Sequence, residues 1–342
     1  GGLAARLTGR SALTLTPPAL PAEKKVLALL NTSMLTPALY KIRLTVLHGG
    51  GKESSYIYSV RVDPAIKEGF PVTASWAGDL SHSNILIADV DGDGKKEIIT
   101  GTTLSDIYRP RLQIRKSDGT ILFERHEPTV MRPLATADVN HDGKDEILSV
   151  EDISGDVGIG PWRVHLSRYV EGAGLTDLPG FPITLNTSLI HLAFFDDLNS
   201  DGVLEIICLT WDTIEVFKLD GQPYNSHVPI RLTAETLPWS MRVDWPVAVD
   251  CNGDGQKEII IGIRSSYGKI DDRAIVKVYD LNGNEYTQDN WPIDITTLTP
   301  ADTRGKFMRG LKSADINDDH YPDVLFSDNY YLYATDEKGV AL

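Results

Sequence analysis

A chain of 342 residues with a formal charge of −15 is too acidic to bind nucleic acid, whose phosphates call for a basic footprint. With 42% hydrophobic and 24% charged residues the composition is that of a globular protein, which excludes pervasive disorder; no run approaches the roughly 18 apolar residues that a membrane-spanning helix needs. Cys208 and Cys251 are the only cysteines, so there is no disulfide scaffold and no CxxC motif; two free buried thiols are the simpler reading and a bond between them the other.

In chain order, the sequence opens Gly1-Gly2-Leu3 with no initiator Met and no basic lead into an apolar stretch, and so reads as a mature or excised piece. Residues 1–67 form one region. Lys25–Leu30 reads as a strand, after a proline-rich linker or edge segment at Thr16–Pro21. Tyr40–Leu47 alternates apolar and polar residues, Gly49–Gly51 makes a turn, and Tyr56, Tyr58, Val60 and Val62 mark the return strand. This hairpin is similar to the last two strands of immunoglobulin- or fibronectin-III-like modules, with about three strands countable against the seven of a full sandwich.

From residue 68 to 342 a short acidic motif returns five times, at Asp89–Glu97, Asp138–Glu146, Asp197–Glu205, Asp250–Glu258 and Asp315–Asp323, with start-to-start spacings of 49, 59, 53 and 65 residues. Each fits D-x-[DN]-x-D-G-x-x-[DE], except that His320 replaces the glycine of the last copy. A unit of this size recurring along the chain signals a repeat architecture. Apolar runs flank each motif, such as Ile85–Ala88 and Ile98–Thr100 around the first and Val247–Val249 and Ile259–Ile261 around the fourth; they read as buried strands. A third, alternating strand follows at Arg111–Arg115, Thr213–Phe217 and Ile275–Tyr279. It runs into a turn ending in Gly119, Gly172, Gly221, Gly283 or Gly339, read as a two-residue hairpin. A fourth strand closes the unit near an apolar-Pro-aliphatic step, as at Phe181–Ile183, Val228–Ile230 and Trp291–Ile293; an outermost strand tolerates proline there. Four strands in some 50 residues describe a propeller blade.

Oxygen side chains at positions 1, 3 and 5, a glycine at 6 and an acid at 9 suit a hard cation, Ca²⁺ first, which takes six to eight oxygens. The predicted ligands are Asp89, Asp91, Asp93, Lys95 (through its carbonyl) and Glu97 in the first loop, and Asp138, Asn140, Asp142, Lys144 and Glu146 in the second. In the third they are Asp197, Asn199, Asp201, Val203 and Glu205, and in the fourth Asp250, Asn252, Asp254, Gln256 and Glu258. The fifth supplies Asp315, Asn317, Asp319, Tyr321 and Asp323. An EF-hand is excluded because its position 12 must be acidic and its flanks helical, whereas position 12 here is Thr100, Ser149, Cys208, Ile261 and Phe326. The five loops hold 16 ligand-type carboxylates, four in the first and three in each of the others, which without cations would crowd like charges together.

The stretch from Ile87 to Gly101 and its four relatives resemble the FG-GAP/VCBS repeats of integrin α-subunit propellers and of many secreted bacterial proteins. The resemblance implies an all-β fold: a β-propeller of four-stranded blades, with one Ca²⁺ (about five in all) in the loop joining the first two strands of each. Five blades are countable, either a closed ring or a slice of a seven- or eight-bladed one. A spare apolar-Pro step at Phe70-Pro71 precedes the first unit while the last unit stops short of its own, so the sequence predicts Phe70–Ala74 pairing beside Tyr330–Thr335 to close a five-bladed ring. No catalytic motif is present: there is no GxSxG, HExxH, P-loop or GxGxxG opening a helix. The scattered histidines, His165 and His191 among them, read as structural. Trp211, Trp239, Trp245 and Tyr330–Tyr333 read as blade packing, with a carbohydrate or protein surface as the alternative. The expected role is a secreted or cell-surface calcium-binding module that engages a protein or glycan partner, or other segments of its parent polypeptide, without catalysis. The alternative is a carbohydrate-active enzyme of the polysaccharide lyase kind, or an accessory domain of a secreted protease.

Overall fold

The computed structural model describes residues 3–6, 13–15, 28–30, 38–47, 53–62, 85–101, 111–126, 130–153, 160–187, 190, 192–210, 212–232, 241–265, 274–295, 310–327 and 331–342. The chain divides into two units, Gly1–Ala74 and Ser75–Leu342. In the first, β1 (Leu3–Arg6), β2 (Leu13–Leu15), β3 (Ala28–Leu30), β4 (Ala38–Leu47) and β5 (Glu53–Val62) make a three-stranded sheet in the order β1-β4-β5 and a separate β2-β3 pair. The long hairpin is antiparallel throughout, with Tyr40 opposite Val60, Ile42 opposite Tyr58 and Leu44 opposite Tyr56.

The second unit is a succession of antiparallel sheets, five among the described residues. The first holds β6 (Leu86–Ala88), β7 (Glu97–Gly101), β8 (Arg111–Arg115) and β9 (Ile121–His126). The second holds β10 (Val130–Ala137), β11 (Glu146–Asp152), β12 (Trp162–Val170), β13 (Gly174–Asp177) and β14 (Ile183–Leu185). β15 (Leu192–Asp196), β16 (Glu205–Leu209), β17 (Thr213–Phe217) and β18 (Ile230–Arg231) form the third. The fourth comprises β19 (Met241–Val249), β20 (Glu258–Ser265), β21 (Ala274–Tyr279), β22 (Glu285–Tyr286) and β23 (Ile293–Asp294), and the fifth β24 (Gly310–Ala314), β25 (Asp323–Ser327) and β26 (Leu332–Thr335). Within each sheet the first three strands are neighbours in chain order.

Four hydrophobic cores lie between successive sheets. Ile99, Leu112 and Ile114 meet Met131 and Ile147 between the first and second. Trp162, Val164 and Leu166 meet Ile206, Cys208 and Phe217 between the second and third. Ile207, Leu209 and Ile214 meet Ile259, Ile261 and Ile263 between the third and fourth, and Ile260, Val276 and Val278 meet Leu311, Val324 and Phe326 between the fourth and fifth. The side-chain period of two explains the division: along β20, Ile259, Ile261 and Ile263 serve one core while Ile260 serves the other. A sheet covered on both faces buries every position, as along β11, β16 and β17, even where polar residues alternate with apolar ones in the sequence. Each buried aliphatic side chain stabilises the stack by about 1.5–3 kcal/mol. Cys208 and Cys251 are both buried and free, one in the second core and one in the fourth.

Two details differ from the sequence reading. The hairpins after the third strands are three-residue loops: the Gly119 amide donates to the Lys116 carbonyl and the Lys116 amide to the Thr120 carbonyl, and the same pattern recurs at 218–222, 280–284 and 336–340. Only the glycine has positive φ (86° at Gly119, 81° at Gly221), so the turn is a tight turn followed by a left-handed glycine rather than a two-residue loop. The fourth strand is also broken in two sheets: β13 and β14 both pair with β12, and β22 and β23 both pair with β21. Pro182 and Pro292 stand just before the second pieces, β14 and β23, and Pro229 just before the unsplit β18, each after a cis peptide bond. Phe70–Ala74, Tyr330, Trp211, Trp239 and His191 lie outside the described residues.

Candidate metal centres

The five acidic loops each join the first strand of a sheet to the second, and each folds on the same hydrogen-bond scaffold. The position-1 carboxylate accepts the amide of position 6: Asp89 from Gly94, Asp138 from Gly143, Asp197 from Gly202 and Asp250 from Gly255, all at 2.9 Å, and Asp315 from His320 at 3.0 Å. The position-5 carboxylate accepts the amide of position 7, so Asp93, Asp142, Asp201, Asp254 and Asp319 hold Lys95, Lys144, Val203, Gln256 and Tyr321 at 2.8–2.9 Å. Position 9 reaches back to the amide of position 2, as Glu97 does to Val90, Glu146 to Val139, Glu205 to Leu198, Glu258 to Cys251 and Asp323 to Ile316. At position 3, the Asn140 amide donates to the position-9 Glu146 and the Asn199 amide to the position-5 Asp201, while Asn252 and Asn317 each reach both the position-5 and the position-9 carboxylate.

This scaffold needs two left-handed residues per loop, not one. Position 6 has φ of 80° at Gly94 and 75° at His320, and position 4 is left-handed as well, at Gly92, His141, Ser200, Gly253 and Asp318. Four residue types share that role across the five loops, so no single letter marks position 4 in the sequence.

The position-9 acids Glu97, Glu146, Glu205, Glu258 and Asp323 are buried, the others being more open to solvent. Burial raises Glu97, Glu146 and Glu205 above the ordinary carboxylate range, and neighbouring aspartates add to it. Glu258 is pushed up to about 7. Asp91 moves the other way: burial works against its charge, but the hydrogen bond from Lys116 lowers it overall.

Among the described residues, the first loop brings three carboxylates close enough together for one divalent cation. In the first loop, ligand oxygens of Asp89, Asp91 and Glu97 all lie within 4.8 Å of one another, a spacing that one ion about 2.3–2.6 Å from each can span. The donor set is all oxygen, the choice of a hard cation rather than a soft one. The first loop is also the one with Asp91 at position 3 where the others carry Asn, and its extra charge has a partner, with Lys116 Nζ 2.9 Å from Asp91 and 3.8 Å from Asp93.

Neighbouring loops are tied together. The Asp89 amide donates to the Asp145 carboxylate and the Asp145 amide to the Asp89 carbonyl, both at 2.8 Å. Between loops three and four, the Lys257 amide donates to the Leu198 carbonyl and its ammonium to Asp196.

Away from the loops, His165 is buried on β12 between two carboxylates. Nδ1 lies 3.0 Å from Asp177 and Nε2 3.2 Å from Glu151, while Ser167 donates to Asp177 at 2.6 Å. Burial alone would lower the imidazole pKa, but the two carboxylates outweigh it and raise it. The cross-strand partners that make this a charged cluster have no sequence signature. Of the aromatic residues singled out from the sequence, Tyr333 stacks on Phe326 with ring centroids 5.2 Å apart, and Tyr331 is exposed.

No protein-family model matches the sequence, and no curated protein matches it. Among solved structures, the crystal structure of the V. cholerae biofilm matrix protein Bap1 matches with a TM-score of 0.41 and 17% identity, over 78% of this chain and 40% of that one. The chain thus spans less than half the length of that protein, and so weak a likeness decides neither fold nor function.

Proposed function

We propose that residues 68–342 form a calcium-loaded β-propeller of the FG-GAP/VCBS type that works outside the cell or on its surface as a non-catalytic interaction module, behind an immunoglobulin- or fibronectin-III-like leading segment. The observation that carries this reading is the fivefold recurrence of one hydrogen-bonded loop scaffold with a carboxylate buried at its base, joined in the first loop by the convergence of Asp89, Asp91 and Glu97. Asp89, Asp91, Asp93 and Glu97 with the Lys95 carbonyl, and their counterparts in the other four loops, would hold the ions. Bound calcium would supply structural charge compensation. The loop affinity expected of extracellular modules, about 10⁻⁴–10⁻³ M, suits a calcium-rich compartment. Metal analysis after exhaustive dialysis into millimolar calcium tests it: about five ions per chain are expected, and fewer than three would overturn it. Among the described residues no helix is long and apolar enough to cross a membrane.

Five stacked sheets with a core between each pair support the propeller, and exposed apolar side chains at the two ends support closing it. Ile87 of the first sheet and Ile85 just before it are 61% and 58% exposed, and Leu332 of the fifth sheet and Ile316 of the fifth loop 73% and 50%. Pairing Phe70–Ala74 beside Tyr330–Thr335 would complete the fifth blade and draw these ends together. A Val72→Cys/Ala334→Cys variant should oxidise to an intramolecular disulfide; failure to cross-link would favour a slice of a larger ring.

A further inference from the structure

Between the first and second sheets, at the end where the acidic loops lie, is a cleft of about 550 Å³. Lys116, Lys144 and Arg168 line it with the Tyr169 ring and Leu122. So do five carboxylates: Asp91 and Asp93 of the first loop, Asp142 and Glu146 of the second, and Glu171. We propose that this cleft is a calcium-dependent site for a carboxylate-bearing sugar, an inference that rests on the reading of the loops as calcium sites.

Five carboxylates thus face three cations across the cleft. Lys116 is held by Asp91 and Asp93, and the Lys144 stem lies across Gly92, where a Cβ would come within 2.8 Å of its Cε. A divalent ion in the first loop competes with Lys116 for the same two carboxylates. Once they face the ion the ammonium is released into the cleft. Four of the five lining carboxylates belong to the two loops and turn their charge on the ions; what remains to meet a ligand is Lys116, Lys144, Arg168, Glu171 and the tyrosine. Three cations suit a carboxylate, and a tyrosine ring offers the flat face on which a pyranose ring packs. Glu171 accepts hydrogen bonds and so suits hydroxyl donors, whereas it repels an acidic peptide, which brings more carboxylates and few hydroxyls. The volume falls in the range of about 300–1,000 Å³ typical of small-ligand sites, enough for a short oligosaccharide. Ca²⁺ thereby frees Lys116 from its ion pairs and leaves an anion-selective sugar site.

The test is calorimetric titration of the full chain with trigalacturonate, in millimolar calcium and again in chelator, with neutral maltotriose and tetraglutamate as comparisons. Trigalacturonate should bind in calcium only, and more tightly than either comparison. Arg168→Gln should weaken the sugar about tenfold, which is about 1.4 kcal/mol, with calcium uptake unchanged. Lys116→Gln should move the two ligands in opposite directions, calcium tighter because its internal competitor is gone and sugar weaker because a cation is lost. A merely structural lysine would not produce that divergence. Calcium uptake without trigalacturonate binding, or binding that both variants leave intact, overturns this proposal alone. Equal or tighter binding of maltotriose or tetraglutamate overturns the choice of ligand, and no calcium uptake overturns the loop reading together with the site.

Discussion

The first and fifth acidic loops fold on the same hydrogen bonds from different materials. In the first, glycine occupies both left-handed positions, Gly92 and Gly94; in the fifth, Asp318 and His320 take the same conformation at φ of 61° and 75°. The first has four carboxylates and a lysine against them, the fifth three carboxylates. Their second residues differ too, Val90 being fully buried in the core toward the second sheet and Ile316 half exposed. The difference teaches that the side-chain acceptors at positions 1, 5 and 9 dictate the loop, and that glycine lowers its cost without being required for it.

The largest expected effect comes from calcium itself. A site at tenfold excess over its Kd stabilises the folded chain by about 1.4 kcal/mol, so chelation should lower the melting temperature by the sum of several such increments. Asp93→Ala should remove a larger share of that calcium-dependent increment than Asp319→Ala, because the four-carboxylate loop attracts the ion more strongly; equal losses would erase the distinction between the two loops. A smaller effect follows from exchanging their turn residues. Gly94→His should cost about 1 kcal/mol and His320→Gly gain about as much, since a side chain in the left-handed region carries a penalty of that order. Denaturant midpoints would read both, and a neutral His320→Gly would show that the fifth loop tolerates histidine by some compensation.

The smallest effect sharpens the comparison by separating the loops from the rest of the fold. The raised pKa of His165 means that its ion pairs with Asp177 and Glu151 contribute fully below the unfolded histidine value of about 6.5 and are lost as pH rises through the folded value. The pKa of Asp177 is lowered by His165 and Ser167 even though its own burial opposes this, so its contribution is present above about 3.9 and fades as pH falls through the folded value. In saturating calcium, wild type and His165→Gln should therefore differ by about 1 kcal/mol between these limits and converge in alkali. A difference independent of pH would assign the imidazole a packing role alone.

What was legible in the sequence is what repeats with its own letters. Asp and Glu at positions 1, 5 and 9 mark the loops, and the apolar runs beside them mark strands that appear where expected, β7 and β20 among them. The left-handed residue at position 4 stayed hidden because Gly92, His141, Ser200, Gly253 and Asp318 have no property in common except the backbone they adopt. The split of the outer strands into β13 and β14, or β22 and β23, depends on how long each piece can follow its neighbour, which local composition does not encode. Contacts such as Asp89 with Asp145 or His165 with Asp177 join residues that only the stacking of sheets and strands brings together.

The reciprocal link between Asp89 and Asp145 would couple the loading of ions in the first two loops. Asp89 is at once a predicted ligand of the first loop and the backbone partner of the second, so an ion that fixes Asp89 also fixes the entrance to Glu146. The second ion then meets a loop whose ordering has already been carried out by the first, which is positive cooperativity without any change of shape. The Lys257 contacts to Leu198 and Asp196 set up the same relation between the third and fourth loops. On the proposed calcium reading, occupancy would rise pairwise, loops one and two together and loops three and four together, each pair filling over a narrower span of calcium concentration than independent sites would.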